Sequence, residues 1–369
     1  MGGFRVLSDS AVHDMLINLP RADILGFRDT LAQCLVDFST AQERKYQPPA
    51  GIVNRPEGQR CLFRLFTSAS NVGAKVIVSP SPSSPAAASG LHGMIALCDQ
   101  DGLPAGVLNA GEVTGYRTSL GALIPWLWRR RTDNVVVFGA GKQALWHLRL
   151  ALALRGDEIR SVSVVNRSAD RGRQLVETLG RENSERWKSA ATLEYVDPSR
   201  PDYDAWLESS LAVADAVFCT VGTTTPLFPS KYVTGEKRER QAYVSAVGSW
   251  QPNMIELDPS LLQHVVARPD LGFRWAESSG GVVLVDDREG TSDHAGEVVA
   301  SKLKAENLVE VGEVEDLKRR ADNPDLVRWL EDGLLVYKSV GVSMTDLAAG
   351  NAILALAEKR GAGTTIPEF

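Results

Sequence analysis

What the chain has little of narrows it first. Only four cysteines occur in 369 residues. Cys34, Cys61, Cys98 and Cys219 lie in separate apolar segments with no CxxC spacing, so they read as buried thiols in a reducing compartment, not as a disulfide framework. The five histidines, His13, His92, His147, His264 and His294, form no HxxxH or HxxE pair that would set two ligands on one helix face, and no metal is expected. No apolar run reaches about 18 residues, and the first residues lack a basic-then-apolar leader pattern. Val6 stands where a myristoylation signal needs Ser or Thr, and Ile366-Pro367-Glu368-Phe369 matches no prenylation or peroxisomal signal. A cytoplasmic chain is the expectation. Positive charge is also scarce: 40 basic against 46 acidic residues give a net charge of −6, which offers no footprint for nucleic acid or an anionic membrane. The densest basic run, Arg129-Arg130-Arg131, abuts Trp128 and reads as the solvated end of a helix.

What remains is a globular chain whose 44% hydrophobic residues suffice for two or three domains at roughly 150 residues each. Residues 9–45 carry apolar positions at helical spacing (Val12, Leu16, Leu19, then Ile24, Phe27, Leu31, Leu35, Phe38), which predicts two helices. From 61 to 110 short strand-like runs follow, Cys61–Phe66, Lys75–Val78, Met94–Cys98 and Ala105–Asn109, with turn chemistry such as Asp101-Gly102 between them. The Ser/Pro stretch Ser79–Pro85 reads as a loop. Helical spacing returns between Thr114 and Trp128. Val135–Phe138 is a fully apolar strand of the kind buried on both faces of a parallel sheet. A glycine turn, a helix through Leu154 and a second apolar strand, Val162–Val165, complete a βαβ unit. A helix at Arg171–Leu179 and strands at Ala216–Cys219, Tyr243–Val247 and Val282–Val285 extend a doubly wound α/β sheet. The chain ends with a strand, Leu334–Ser339, and an amphipathic helix, Met344–Lys359.

The glycine turn carries the clearest chemistry. In Gly139-Ala140-Gly141-Lys142-Gln143-Ala144, Gly139 permits the tight turn, Gly141 lets the backbone approach a diphosphate, and Ala144 allows close helix-strand packing. GxGxxA alone is a weak signal, but both flanking strands are in place, and a dinucleotide site is predicted. At the end of the second strand an NAD enzyme would place Asp or Glu on the ribose hydroxyls. Here Asn166-Arg167-Ser168 offers a neutral amide, a guanidinium and a hydroxyl, with Arg171 one turn on, which favours the 2′-phosphate of NADP(H).

Three further segments carry a likeness. Glu112-Val113-Thr114-Gly115-Tyr116-Arg117-Thr118, the Gly139 turn with Gln143, and Lys338-Ser339-Val340-Gly341-Val342 with Asp346 resemble the ornithine cyclodeaminase/mu-crystallin family, in order and over nearly the whole chain. The resemblance implies a central Rossmann domain (residues 129–330) inserted in an α+β substrate and dimerisation domain built from both chain ends (1–128 and 331–369), and hence a homodimer. It makes Lys75, in Gly73-Ala74-Lys75-Val76, the active-site lysine and Arg117 the carboxylate-binding arginine beside the nicotinamide. An arginine fork suits a carboxylate physically. Ser89 falls where the family has a substrate-side Ser or Thr. Thr118, Thr220, Val221, Val247 and Gly248 fall along the cofactor, and Ser339, Val340 and Gly341 line the nicotinamide pocket.

Two departures shape the expected activity. Ala50 stands where the family has a second substrate arginine, so Arg44, Arg55 or Arg64 replaces it or the substrate differs. In Ala246-Val247-Gly248-Ser249-Trp250, Trp250 replaces the catalytic aspartate of the cyclodeaminases, and an indole can neither pair with an ammonium nor shuttle a proton. The expected function is therefore NADPH-dependent reduction of a cyclic ketimine carboxylate, with Lys75 and Arg117 fixing the carboxylate and Trp250 walling the pocket. The alternatives are a non-catalytic NADP-dependent binder of a small ligand, an ornithine cyclodeaminase, and an N-alkylamino acid or amino acid dehydrogenase.

Overall fold

The computed structural model describes residues 3–86, 92–235, 238, 240–275 and 279–369. It divides into two compact units, Met1–Arg117 with Val342–Phe369, and Thr118–Gly341. These borders differ from 128/129 and 330/331 of the sequence reading. One falls inside a continuous helix, and the other falls after a strand, Leu335–Lys338, that the sequence reading assigned to the outer domain but that lies within the parallel sheet.

The first unit runs through β1 (Phe4–Leu7), α1 (Asp9–Ile17), α2 (Arg21–Thr40), β2 (Gly51–Asn54), β3 (Arg60–Thr67), β4 (Asn71–Ser79), β5 (His92–Asp99) and β6 (Pro104–Asn109) into α3 (Ala110–Leu127), and its order is completed after the second unit by a helix and a strand. Ser8 caps α1 by accepting the Ala11 N–H, which satisfies one of the donors a helix start leaves open. Along α2 the predicted stripe Ile24, Phe27, Leu31, Leu35 and Phe38 is buried.

The second unit carries β7 (Asn134–Phe138), α4 (Lys142–Arg155), β8 (Ser161–Val165), α5 (Ala169–Glu182), β9 (Thr192–Val196), α6 (Tyr203–Val213), β10 (Ala216–Cys219), α7 (Lys231–Thr234), β11 (Tyr243–Ala246), α8 (Pro259–Ala267), β12 (Val283–Val285), α9 (Arg288–His294), α10 (Gly296–Ser301), β13 (Leu308–Glu310), α11 (Val311–Arg320), α12 (Pro324–Asp332) and β14 (Leu335–Lys338). The chain then returns to the first unit as α13 (Ser343–Arg360) and β15 (Thr364–Ile366).

Among the described residues the first unit forms a seven-stranded sheet in the order β15-β1-β6-β5-β4-β3-β2. Side chains alternate between its faces. On the inner face Phe66, Lys75, Ile77, Ile95, Leu97 and Leu108 are buried, and α13 packs across β3, β4 and β5. Gly350 permits that approach, since a Cβ there would meet Leu97 Cδ1 at 2.8 Å. The opposite face of the same strands exposes Val53, Phe63, Leu65, Val72 and Met94.

Among the described residues of the second unit, eight parallel strands follow the order β13-β12-β14-β11-β10-β7-β8-β9. The chain winds outward one way from β7 through β8 to β9 and the other way from β10 onward, so the topological switch lies between β7 and β10. In such sheets the crevice at the strand C-termini there is where a ligand binds. Buried Val136, Phe138, Val217, Cys219, Val244, Ala246 and Val336 form the core around it. No described helix is long and apolar enough to cross a membrane.

Candidate active site

The first unit places three charged side chains together in its interior. Lys75 points inward from β4 because its neighbours Ala74 and Val76 take the other face. Its Nζ donates to Asp346 Oδ2 on α13 at 2.5 Å. Arg117, two turns into α3, donates to the same carboxylate through Nε (2.9 Å to Oδ1) and Nη2 (3.4 Å to Oδ2). Lys75 is 2% exposed, Arg117 7% and Asp346 0%. Burial, opposed by Asp346 and reinforced by Arg117 and Arg64, pulls the Lys75 ammonium down from 10.5 to about 7. Burial alone would raise Asp346, but Arg117 and Lys75 draw it below the usual carboxylate value. Two cations thus share one carboxylate. With Lys75 protonated the trio carries a net positive charge away from water, an arrangement that favours an incoming anion, and the Nη1 side of Arg117 is not engaged by Asp346.

Of the arginines that could stand in for the one absent at Ala50, Arg44 lies over the Phe38 ring at 4.3 Å, and Arg55 is exposed in the β2–β3 hairpin. Arg64, on β3, is directly opposite Lys75 in the ladder. Ala50 itself is exposed just before β2. Ser89 lies outside the described residues.

The second unit builds the dinucleotide cradle at its switch point. Gly139 has φ +111°, and a Cβ there would lie 2.5 Å from Thr220 Oγ1, so only glycine fits the turn. Thr220 Oγ1 in turn donates to the Phe138 carbonyl at 2.8 Å. Gly141 is the N-cap of α4. A Cβ on it would have no protein atom within 4 Å, so the glycine leaves open space directly before the helix N–H groups, where a diphosphate fits. Ala140, Lys142 and Gln143 complete the turn, and Ala144 is buried as predicted. At the end of β8, Asn166 is half-buried and donates to the Ser168 carbonyl at 2.8 Å. Arg167, Ser168 and Arg171 are exposed around it. The residues present fit a nicotinamide dinucleotide.

Two buried carboxylates, neither singled out by sequence, fix the rest of this crevice. Asp286, immediately after β12, accepts from Ser339 Oγ (2.6 Å), Val340 N (3.1 Å) and Gly341 N (2.7 Å). It therefore holds the segment in which Gly341 adopts φ +91°. Burial raises the Asp286 carboxyl against these three hydrogen bonds. Glu256 accepts from Val221 N (2.7 Å), Gly248 N (2.7 Å) and Ser249 N (2.9 Å), joining the turns after β10 and β11. Lys338, wholly buried on β14, donates to Ser249 Oγ at 2.7 Å and lies 3.3 Å from Glu297. Val247 N continues the ladder to the Cys219 carbonyl at 3.0 Å. Trp250 follows, half-buried. Thr118 is half-buried on α3. The one sequence signal for Asp286 is a carboxylate directly after an apolar buried strand. Glu256 has none.

No family model matches the chain. Among curated proteins it is 23% identical over 346 residues to a delta(1)-pyrroline-2-carboxylate reductase of Bacillus cereus, covering 91% of this chain and 93% of that one. It is 25% identical over 278 residues to an uncharacterized cyclodeaminase of Dictyostelium discoideum, covering 72% and 70%. Among solved structures, the delta(1)-pyrroline-2-carboxylate reductase of Thermococcus litoralis in complex with NADH and L-proline superposes with a TM-score of 0.73 at 14% identity, covering 98% of this chain and all of that one. An archaeal alanine dehydrogenase dimer with bound NAD gives 0.72 at 17% identity, covering 99% of each. The likeness to the ornithine cyclodeaminase/mu-crystallin family read from the motifs therefore holds along the chain, and the structural matches establish the two-domain, Rossmann-containing fold.

Asp346 raises the proton affinity of Lys75 through charge. Replacing it by Asn, which keeps an acceptor but removes the charge, is expected to move the Lys75 midpoint below about 7. Lysine-specific isotope labelling followed by NMR across pH reads that midpoint, and an unchanged or raised value contradicts the coupling.

Proposed function

We propose that this protein is an NADPH-dependent reductase of an imine that carries a carboxylate next to the C=N carbon. The observation that carries the reading is the buried trio in which Lys75 and Arg117 share the single carboxylate of Asp346. Such a cluster is costly to bury, and an anionic ligand would offset the remaining positive charge. The glycine cradle at α4 and the imine reductases among the relatives support the same reading.

When bound, the cofactor supplies a hydride to the imine carbon; the nitrogen takes up one proton, giving the amine and the oxidised cofactor. In this scheme Arg117 binds the substrate carboxylate through the edge that Asp346 leaves open and so orients the imine. Lys75, with its ammonium near neutrality, donates the proton to nitrogen, and Asp346 keeps Lys75 charged enough to do so. Water is excluded by the burial of all three groups. Trp250 brings no acid or base, which argues against cyclodeamination.

The cofactor preference follows from the end of β8, which has Asn166 where a carboxylate would repel a 2′-phosphate, with Arg167 exposed beside it. We assign the apolar sheet face bearing Val53, Phe63, Leu65, Val72 and Met94 to a second copy of this chain. Five large apolar side chains grouped on one face form a patch of the kind that marks protein–protein contacts, and the archaeal alanine dehydrogenase is a dimer.

With NADPH and pyrroline- or piperideine-2-carboxylate, Lys75→Met and Arg117→Ala are each expected to lower turnover by about two orders of magnitude or more while leaving NADPH binding intact; full activity in both overturns the assignment. Arg167→Ala should weaken NADPH binding about tenfold, the worth of a charge-assisted contact, and leave NADH unchanged, as fluorescence titration would read. Phe63→Lys should convert the protein to monomers in analytical ultracentrifugation, and a wild-type monomer would sink the dimer.

A further inference from the structure

Three carboxylates and one ammonium are buried beneath the C-terminal ends of β11, β12 and β14. Glu256, Glu297 and Lys338 are wholly out of water, and Asp286 is 4% exposed. Glu297, on α10, accepts the Ser249 hydroxyl at its two oxygens (2.6 and 2.8 Å), and Ser249 Oγ in turn accepts from Lys338 Nζ. Lys338 lies 3.3 Å from Glu297 and 3.8 Å from Glu256, so one cation stands against two carboxylates. Asp286 adds a third, held by a hydroxyl and two main-chain N–H groups. Oxygens that accept main-chain N–H groups suit the ionised carboxylate, and the group is negative in excess. Burial raises the Glu256 carboxyl, with Lys338 opposing and Glu297 adding to the rise. The same field reaches the end of β10, where burial first, then Glu256 and Glu297 against Lys338, push the Cys219 thiol well above its ordinary value.

The main-chain donors on this side of the switch point are spent on the same carboxylates. The N–H groups of Val221, Gly248 and Ser249 go to Glu256, and those of Val340 and Gly341 go to Asp286. An anion here would find these amides taken and would meet like charge. Across the switch point the sign reverses: the N-terminus of α4 and the exposed Arg167 favour phosphate. A dinucleotide with its diphosphate at α4 and its adenosine ribose at the end of β8 extends its other nucleotide over the ends of β10, β11 and β14. That nucleotide bears the nicotinamide, a ring that is neutral when reduced and positively charged once its hydride has left with the electron pair.

We propose that the excess negative charge of Glu256, Glu297 and Asp286 over Lys338 favours the oxidised nicotinamide over the reduced one, and so makes the bound reduced cofactor a readier hydride donor. The two halves of that statement are linked, since a factor gained in affinity for the oxidised form is the same factor gained in the equilibrium for hydride release on the protein. The carboxylates act through charge from beneath the strand ends, as positioning groups. The inference rests on the crevice being a nicotinamide dinucleotide site and is independent of which substrate takes the hydride.

The test compares the affinity of one protein for the two redox forms of the cofactor. The full chain is titrated calorimetrically with NADP+ and NADPH and, in a second series, with NAD+ and NADH, with no substrate present. Glu297→Gln keeps an acceptor for the Ser249 hydroxyl and removes one charge. It is expected to lower the ratio of the oxidised to the reduced association constant about threefold or more, in the same direction in both series. Glu297→Asp, which retains the charge, should keep the wild-type ratio. Lys338→Met, which removes the opposing cation, should raise the ratio, and it decides the matter where the Gln variant fails to fold. A Glu297→Gln variant that weakens both redox forms by the same factor overturns the proposal, because a strut that merely joined the turns would act in that way. An Asp variant shifted as far as the Gln variant, or a Lys338→Met ratio that stays or falls, overturns it as well. Wild-type protein that binds neither form in either series overturns the cofactor reading together with this proposal, whereas binding with an unmoved ratio discards this proposal alone.

Discussion

The first unit depends on one buried carboxylate. Asp346 is out of water altogether, and a lone ionised carboxyl in that position would be driven to neutralise. Lys75 and Arg117 keep it charged, and in doing so they join a strand, the helix that follows the sheet and the C-terminal helix, across 271 residues of sequence in the case of Lys75. Each group is defined by the other two. Removing Asp346 leaves two buried cations without their partner, the change that costs most in such clusters, whereas removing either cation leaves the carboxylate paired with the other. In the proposed reduction the lysine's role as proton donor would follow from the same contest, since burial lowers its proton affinity and Asp346 returns part of it.

The second unit uses buried carboxylates differently. Asp286 and Glu256 accept mainly backbone N–H groups, and each ties together loops from different strand ends. The crevice at the switch point would otherwise be walled by turns held only at their strand ends. Preorganising such turns reduces the ordering that a bound cofactor would have to impose. These turns are thus tied together by hydrogen bonds at the strand ends, while Arg167 and Arg171 stand exposed at the end of β8.

Much of this was legible in the sequence because it rests on local pattern. The β7-turn-α4-β8 unit follows from apolar runs around glycines, and the α2 stripe from its spacing. Lys75 and Arg117 were found only through motifs, since nothing in a lone strand lysine announces a partner far along the chain. Strands β2 and β15 escaped notice because all their residues are exposed, which erases the alternation that marks a half-buried strand. Strand β14 was seen as a strand but given to the wrong neighbourhood, because a central parallel strand and a strand of the outer unit look alike when both are apolar. Asp286 and Glu256 were missed for a related reason: their partners are mainly main-chain amides, which every residue has, so apart from the place of Asp286 directly after an apolar strand no residue pattern reports them. Arg64 was one of three arginines equally open on sequence, and the ladder register with Lys75 distinguishes it.

The position of β14 also bears on how the chain is made. It lies between β11 and β12, and β12 with β13 joins the sheet through β14 alone. During synthesis from the N-terminus, seven of the eight strands can pair before β14 emerges, β7 to β11 as one group and β12 with β13 only as a detached pair, leaving the exposed side of β11 waiting. The first unit waits longer still, since α13 and β15 follow β14. The parallel sheet closes once β14 has emerged and the first unit only after α13 and β15, and until then apolar strand edges stand open to mispairing.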